Sequence, residues 1–261
     1  MKKLGLIGEK LGHSYSKIIH ERFFELSEKK DYTYDLIEIP MGDLPKRIKS
    51  IAGEYDGINV TIPYKLDVME FLSFISPEAK KIGAVNTVKF TPHGARGYNS
   101  DYFGFKSTLE NAHIEISGKS VVILGTGGAS RAALAVCKDM GAKTITFVTS
   151  GRKVVKGYTT LTYADRIKGD VLINCTPVGM YPKTGVSPIE NLDTGFGAVV
   201  DMIYNPTVTE LMKKGEEIGA KTVNGLNMLV AQAIYSEGIW NDEEVDGKIV
   251  KTIFDELKEK F

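Results

Sequence analysis

Apolar residues in this chain recur at two periods, one strand-like and one helix-like, and the two alternate along most of its length. Residues 4–7 form a short apolar run closed by Gly8, which predicts a buried strand. Residues 16–29 carry Ile19, Phe23 and Leu26 on one face at helical spacing. Residues 33–39 read as a strand, and Leu44, Ile48 and Ile51 mark a helix ending near Gly53. A third strand is predicted over 57–62, where Pro63 stops it because proline has no N–H for the ladder. Short helices follow to about Ile82. Residues 84–90 and 94–98 are expected to pair as a hairpin at the sheet edge, and Asp101 to cap a helix carrying Phe105 and Leu109.

A second unit begins near Ser117 and Gly118. Residues 120–124 are β-branched and apolar, and Gly125 closes them. An amphipathic helix over 130–140 ends at Gly141, the residue type preferred just past a helix. Strands are predicted at 144–148, 170–174, 197–202 and 221–223, with a helix at 207–218. Strands alternating with helices imply an α/β fold with a parallel, doubly wound sheet. The helical segments 227–236 and 248–260 have no evident place in that alternation. There is no internal repeat.

A length of 261 residues suits two domains. Hydrophobic residues at 43% and charged residues at 25% are ordinary for a globular chain, so no staple is needed. Lys plus Arg and Asp plus Glu are both 33, so bulk charge favours neither nucleic acid nor membrane. A near-neutral surface permits self-association, which leaves monomer and homodimer both open. Cys137 and Cys175 lack metal-site spacing, so no metal is expected, and the two separated thiols fit a reducing compartment. The basic start has too short an apolar run for a signal, and no stretch is long enough to span a bilayer. The expected location is the cytoplasm.

The sharpest physical motif is Gly125-Thr126-Gly127-Gly128-Ala129-Ser130, set between a predicted strand and helix. Gly125 allows a tight turn, Gly127 admits a pyrophosphate close to backbone, and the helix start offers free N–H groups. Its sixth position is Ser130, where Gly or Ala is usual. Residues 141–164 contain no Asp or Glu, but do contain Thr149, Ser150, Arg152, Lys153 and Lys156. Hydroxyls and cations suit the 2′-phosphate of NADP and leave no partner for a bare ribose diol. The competing explanation is a solvated basic loop.

Three polar clusters mark the first half: Ser14-Tyr15-Ser16, the run from Asn59 to Lys65, and Asn86-Thr87 with Asn99-Ser100-Asp101. On one strand Asn59 and Thr61 share a face. Hydroxyls and amides converging from several strand ends suit a polyol-binding site. Each also has an ordinary explanation, with Ser16 and Asp101 as helix caps and Asn86 holding a turn.

Taken in order, these motifs resemble a known family. Gly12-His-Ser14-Tyr-Ser16, Asn59-Val-Thr-Ile-Pro-Tyr-Lys65, Gly83-Ala-Val-Asn86-Thr and Gly97-Tyr-Asn-Ser-Asp101 come first. Gly125-Thr-Gly-Gly-Ala-Ser130, Asn174-Cys-Thr-Pro-Val-Gly-Met180, Asp201-Met-Ile-Tyr204-Asn-Pro-Thr207 and Gly225-Leu-Asn-Met-Leu-Val-Ala-Gln232 follow. The set closely resembles the shikimate dehydrogenases. The resemblance implies reversible NADPH-dependent reduction of 3-dehydroshikimate to shikimate, on the way to chorismate and the aromatic amino acids. It implies Lys65 and Asp101 as the catalytic pair, and Ser14 and Ser16 on the substrate carboxylate. Asn59, Thr61, Asn86, Tyr204 and Gln232 become further substrate contacts. Met202 and Gly225 join Gly125, Thr126, Gly127, Gly128, Ala129, Ser130, Thr149, Ser150 and Arg152 around the cofactor. It also implies a substrate domain over 1–104, completed by helices in 225–261, and a Rossmann-like NADP domain over 105–224.

The chain departs from the family pattern in three places. Where Asn-Arg-Thr is usual after the second strand of the cofactor domain, it has Thr149-Ser150-Gly151 with Arg152 just beyond. The helix that usually follows is missing or much shortened before Asp165. Lys17 stands where proline often follows the second serine. NAD therefore stays open as a second cofactor. The alternatives are a quinate/shikimate dehydrogenase using NAD and a silent nucleotide-binding relative.

Overall fold

The computed structural model of the chain describes residues 1–151, 154–244 and 246–260. Two compact units emerge, Met1–Phe103 with Val230–Asp255, and Gly104–Leu229 with Glu256–Phe261. In chain order the first stretch runs β1 (Lys2–Gly8), α1 (Ser16–Leu26), β2 (Tyr32–Glu38), α2 (Leu44–Glu54) and β3 (Gly57–Val60). A 3-10 helix (Asp67–Phe71), β4 (Phe74–Ile75), α3 (Pro77–Ile82), β5 (Thr87–Thr91), β6 (Gly94–Tyr98) and α4 (Ser100–Asn111) come next. The remainder is β7 (Ser120–Leu124), α5 (Gly128–Asp139), β8 (Thr144–Thr149), β9 (Thr159–Thr162), β10 (Val171–Asn174), β11 (Ala198–Asp201), α6 (Glu210–Glu217), β12 (Lys221–Val223), α7 (Leu226–Asn241) and α8 (Gly247–Lys258). The chain passes between the units within α4, within α7 and again within α8. No helix among the described residues is long and apolar enough to cross a membrane.

The first unit holds a six-stranded mixed sheet in the order β2-β1-β3-β5-β6-β4. β1 runs parallel to β2 and β3, and β5 is antiparallel to both β3 and β6. The predicted hairpin therefore forms but lies inside the sheet. The edge is β4, a two-residue strand parallel to β6 and too short to show a period. β3 ends at Val60, short of the predicted Ile62. Side chains on β3 alternate between two environments. Ile58 and Val60 join Ile48 and Ile51 of α2 in one buried apolar cluster. Gly57 and Asn59 face the other way. There the Trp240 indole on α7 occupies the space a Gly57 side chain would need, and it donates to Val88 O at 2.9 Å.

The second unit is a six-stranded sheet in the order β12-β11-β10-β7-β8-β9, parallel throughout. Numbered from β7 this is the doubly wound order, with its switch point between β7 and β10. Val122, Leu124, Val148, Leu172 and Val199 pack one core with Leu211 of α6. Helix α6 starts at Glu210 because the Thr209 hydroxyl caps it, accepting from Met212 N. Before Asp165, where the family's usual helix is expected to be missing or much shortened, the described residues form β9, parallel to β8.

Gly57 makes a direct test of how α7 seats on the sheet. Gly57→Ala places a methyl inside the indole ring and should lower stability by about 1–3 kcal/mol, the usual cost of overpacking. Urea unfolding measures it, and an unchanged midpoint would mean that Trp240 is free to move aside.

Candidate active site

Sheet direction gathers the first unit's polar clusters at one end. β1 and β3 are parallel, so the segments after Gly8 and Val60 leave from the same end. β5 starts there, with Thr87 opposite Asn59, and β6 finishes there, with Tyr98 opposite Thr87. Backbone bonds tie the ends together: Val60 N to Asn86 O at 2.8 Å, Asn86 N to Tyr98 O at 3.1 Å, and Val85 N to Lys65 O at 2.8 Å. Lys65 Nζ then meets Asp101 Oδ2 at 2.7 Å, with both side chains partly exposed, at 28% and 19%. Asp101 does not cap α4 as expected. The helix begins at Ser100, so Asp101 sits in the first turn, where its charge suits the helix dipole.

The amides beneath this pair are locked. Asn86 Oδ1 accepts from Ser100 N at 2.7 Å and from the Thr87 hydroxyl at 3.0 Å. Its oxygen is thus occupied, so its Nδ2 is the end of the amide left to donate. Asn59, expected as a substrate contact, is engaged with protein groups. It is 5% exposed, and its amide is spent on protein groups. Nδ2 donates to Ser236 Oγ at 2.8 Å and to Asn86 O and Thr87 Oγ1 at 3.2 Å. Oδ1 accepts from the Tyr34 hydroxyl at 2.8 Å and faces His20 Nε2 at 3.2 Å. Thr61 lies one residue past β3, its N–H still donating to Ile7 O of β1 at 2.9 Å.

Ser16 is the first residue of α1, not its cap. Tyr15 holds the N-cap position without a side-chain bond, and Ser14 Oγ accepts from Ser16 N at 3.2 Å. Tyr34 on β2 has its phenol pushed well above its usual range by burial and by the Glu237 charge. Gln232 lies on α7 one turn before Ser236, whose hydroxyl bonds its carbonyl at 3.0 Å. The structure therefore links Asn59, Asn86, Asp101 and Gln232 through Thr87, Ser100 and Ser236. His20, Tyr34, Ser236 and Glu237 were not among the predicted residues. A histidine and a glutamate on helices of high apolar content were the available signal.

In the second unit, Gly125 ends β7 with φ +89, and a Cβ there would lie 2.9 Å from Thr176. Gly127 is the N-cap of α5, which begins at Gly128, two residues before the expected Ser130. A Cβ on Gly127 or Gly128 would meet nothing within 4 Å. Open backbone at a helix start, beside the switch point, fits a dinucleotide pyrophosphate. Ser130 fits the sixth position because its hydroxyl turns inward and donates to Gly127 O at 2.7 Å. Thr126 and Ala129 complete the turn. Thr149 ends β8 nearly buried, its hydroxyl accepting from Gly151 N at 3.1 Å, while Ser150 is exposed. Arg152 and Lys153 lie outside the described residues.

Loops after β10 and β11 are held by a buried carboxylate. Asp201 accepts from Asn174 Nδ2 at 3.0 Å, Ile203 N at 3.1 Å and Thr209 Oγ1 at 2.7 Å. Burial raises its carboxyl pKa, and these three hydrogen bonds oppose the rise. Met202 and the half-buried Tyr204 stand in this segment. Gly225 backs onto it so closely that a Cβ would enter Met202 O, and its N–H donates to Ile203 O at 2.9 Å. Cys137 is no nucleophile, since burial pushes its thiol up to about 12. Among the described residues no group of three or more His, Cys, Asp or Glu could hold a metal ion.

Residues 6–88 match the model of the shikimate dehydrogenase substrate binding domain. Over all of both chains, the protein is 41% identical to the shikimate dehydrogenase (NADP(+)) of Clostridium beijerinckii. A chorismate mutase/shikimate 5-dehydrogenase fusion protein from Clostridium acetobutylicum superposes with a TM-score of 0.95 at 46% identity, covering 100% of this chain and 98% of that one. Shikimate 5-dehydrogenase from Thermus thermophilus, solved with NADP(H) and shikimate, superposes at 0.88 with 26% identity, covering 98% and 99%.

The inward Ser130 hydroxyl separates fold from ligand. Ser130→Ala should cost about 1 kcal/mol of stability, the net worth of one hydrogen bond, and leave dinucleotide affinity unchanged. Thermal unfolding and a cofactor titration check both halves.

Proposed function

The chain belongs to the shikimate dehydrogenase family, and we propose that Lys65 and Asp101 are the pair that serves its reaction. The activity is the reversible NADPH-dependent reduction of 3-dehydroshikimate to shikimate. The single observation that carries the residue assignment is the 2.7 Å contact between Lys65 Nζ and Asp101 Oδ2 at the polar end of the first sheet. NADPH, when bound, supplies the hydride. As the ring ketone is reduced, negative charge builds on its oxygen. The Lys65 ammonium stabilises that charge and then gives it a proton, and Asp101 orients the ammonium. In the oxidation direction the lysine amine takes the hydroxyl proton back.

The other first-unit residues orient the substrate. Ser14 and Ser16 hold the carboxylate, and the Ser16 hydroxyl is available for that work because it does not cap α1. Thr61 and Gln232 add further contacts. Asn86 contributes its Nδ2 as a donor. Asn59 acts through them and not on the substrate. We assign substrate binding to residues 1–104 with helices of 225–261, and NADP binding to 105–224. A silent relative would have no use for the charged pair. The reaction's soluble reactants and the two unpaired thiols support a cytoplasmic location.

Lys65→Ala should lower kcat by on the order of 10² to 10⁴, the usual contribution of a general acid–base group, with little change in KM. Steady-state rates settle it, and retention of more than about a tenth of kcat would remove the role given to Lys65.

Cofactor choice rests on Arg152. An arginine can pair a phosphate through two parallel hydrogen bonds that hydroxyls do not replace. NADP should win over NAD by a smaller margin than the usual Asn-Arg-Thr loop gives. Arg152→Ala should weaken NADP by roughly 1.5–3 kcal/mol and leave NAD nearly untouched. Titrations of both cofactors test this, and equal weakening would reassign Arg152 to holding the loop.

A further inference from the structure

Ser236 is fully buried on α7, one turn beyond Gln232. Its single hydroxyl lies within hydrogen-bond distance of Asn59 Nδ2 at 2.8 Å, Thr87 Oγ1 at 2.9 Å, Gln232 O at 3.0 Å and Ser100 Oγ at 3.1 Å. A hydroxyl has one proton and two lone pairs, so these neighbours use its full capacity. A helix serine that only bonds back to the carbonyl four residues earlier gains nothing for the helix. This one instead joins α7 to β3, β5 and the start of α4.

Two short routes lead from it to the reacting pair. Through Ser100 it reaches the first turn of α4, where Asp101 is the next residue. Through Thr87 it reaches Asn86 Oδ1 at 3.0 Å, the same oxygen that Ser100 N–H holds at 2.7 Å. The neighbouring residue adds a constraint. Glu237 is hydrogen-bonded to His20 Nδ1, and the other His20 nitrogen faces Asn59 Oδ1. With Tyr34 also donating to that oxygen, the Asn59 amide has no reason to turn over. It therefore cannot offer its oxygen to Thr87 and Ser100 if the serine hydroxyl is removed.

We infer that Ser236 is a positioning residue for the dehydrogenase reaction, holding Asn86 and the Asp101 turn in register with Gln232. The inference rests on Lys65 and Asp101 being the reacting pair.

The test uses the full-length enzyme in shikimate oxidation with NADP+, assayed well below the melting temperature. Ser236→Ala should lower kcat about tenfold, as a small misplacement of reacting groups does, with an unchanged KM for NADP+. Thr87→Val, close to isosteric, should act in the same direction. The double variant should be no worse than the more severe single, because both changes open one junction. A Ser236→Ala enzyme with wild-type kcat and shikimate KM, and only a lower melting temperature, overturns the inference. Should Ser236→Ala fail to fold, Thr87→Val carries the test by the same criteria. Lys65→Ala run alongside separates the two readings. Turnover retained there overturns both, whereas a dead Lys65→Ala beside a wild-type-like Ser236→Ala overturns this one alone.

Discussion

A carboxamide buried under a sheet end has to be hydrogen-bonded through both its oxygen and its nitrogen. Leaving it unpaired costs on the order of several kcal/mol. Asn59 meets that demand with groups from α1, β2, β5 and α7, and the first unit's site is arranged around the solution. Tyr34, donating to its oxygen, also stacks on the His20 ring of α1, with centroids 4.0 Å apart. Thr87, accepting from its nitrogen, turns its own proton to Asn86. Asn86 in turn is fixed by the first N–H of α4, one residue from Asp101. The proposed contact residues thus adjoin a network whose other members, Asn59, Thr87 and Ser236, are buried. Such networks specify a geometry only when every member is satisfied, and among these buried groups the unmet atom nearest the site is Asn99 Oδ1.

The second unit solves a similar problem with a charge. Asp201 is fully buried, and its raised pKa means that the native state holds this proton more tightly than the unfolded chain does. By linkage its ionisation costs stability as pH rises from the ordinary carboxylate range through the raised value, and that cost stays in place at neutral pH. What the carboxylate returns is geometry. It takes Asn174, Ile203 and Thr209 at once, so the segments after β10 and β11 and the start of α6 are set by one side chain. Asn174 passes the constraint on to Thr176, whose N–H and hydroxyl both bond its oxygen. Thr176 is the residue that forbids a side chain at Gly125.

Periodicity made the two sheets and most helices legible, because each strand or helix buries one face and the period records which. It failed where burial is not the organising force. β4 has two residues and no period, so the hairpin looked like an edge. Ser100 and Asp101 both suit a helix start, and only hydrogen bonding decides that the helix begins at the serine. The polar motifs located the site, but not the direction in which Asn59 points. That direction depends on His20 and Ser236, which lie 39 and 177 residues away in sequence. Ser236 and Glu237 were invisible for the same reason. On an apolar helix they read as interruptions until the groups facing them are known.

The connection from β8 to β9 shows how a local shortening alters recognition. Parallel neighbours are normally joined through a helix that covers one face of the sheet. Here residues 150–158 make the crossing with no helix among those described, and Tyr158 covers Phe147 edge-on at 5.7 Å. A phosphate arriving beyond Thr149 therefore finds no second helix end and no helix-borne cation among the described residues. The sheet also brings a carboxylate near. Thr162 pairs with Thr149, and Asp165 folds back to take both the N–H and the hydroxyl of Thr162. Those bonds hold the Asp165 carboxyl below its usual range, so it stays charged. It is exposed, and salt screens it, so its repulsion is modest. It still acts against a 2′-phosphate and in favour of an unphosphorylated ribose. Preference for NADP in this chain is then a contest between a loop cation and a strand-end carboxylate.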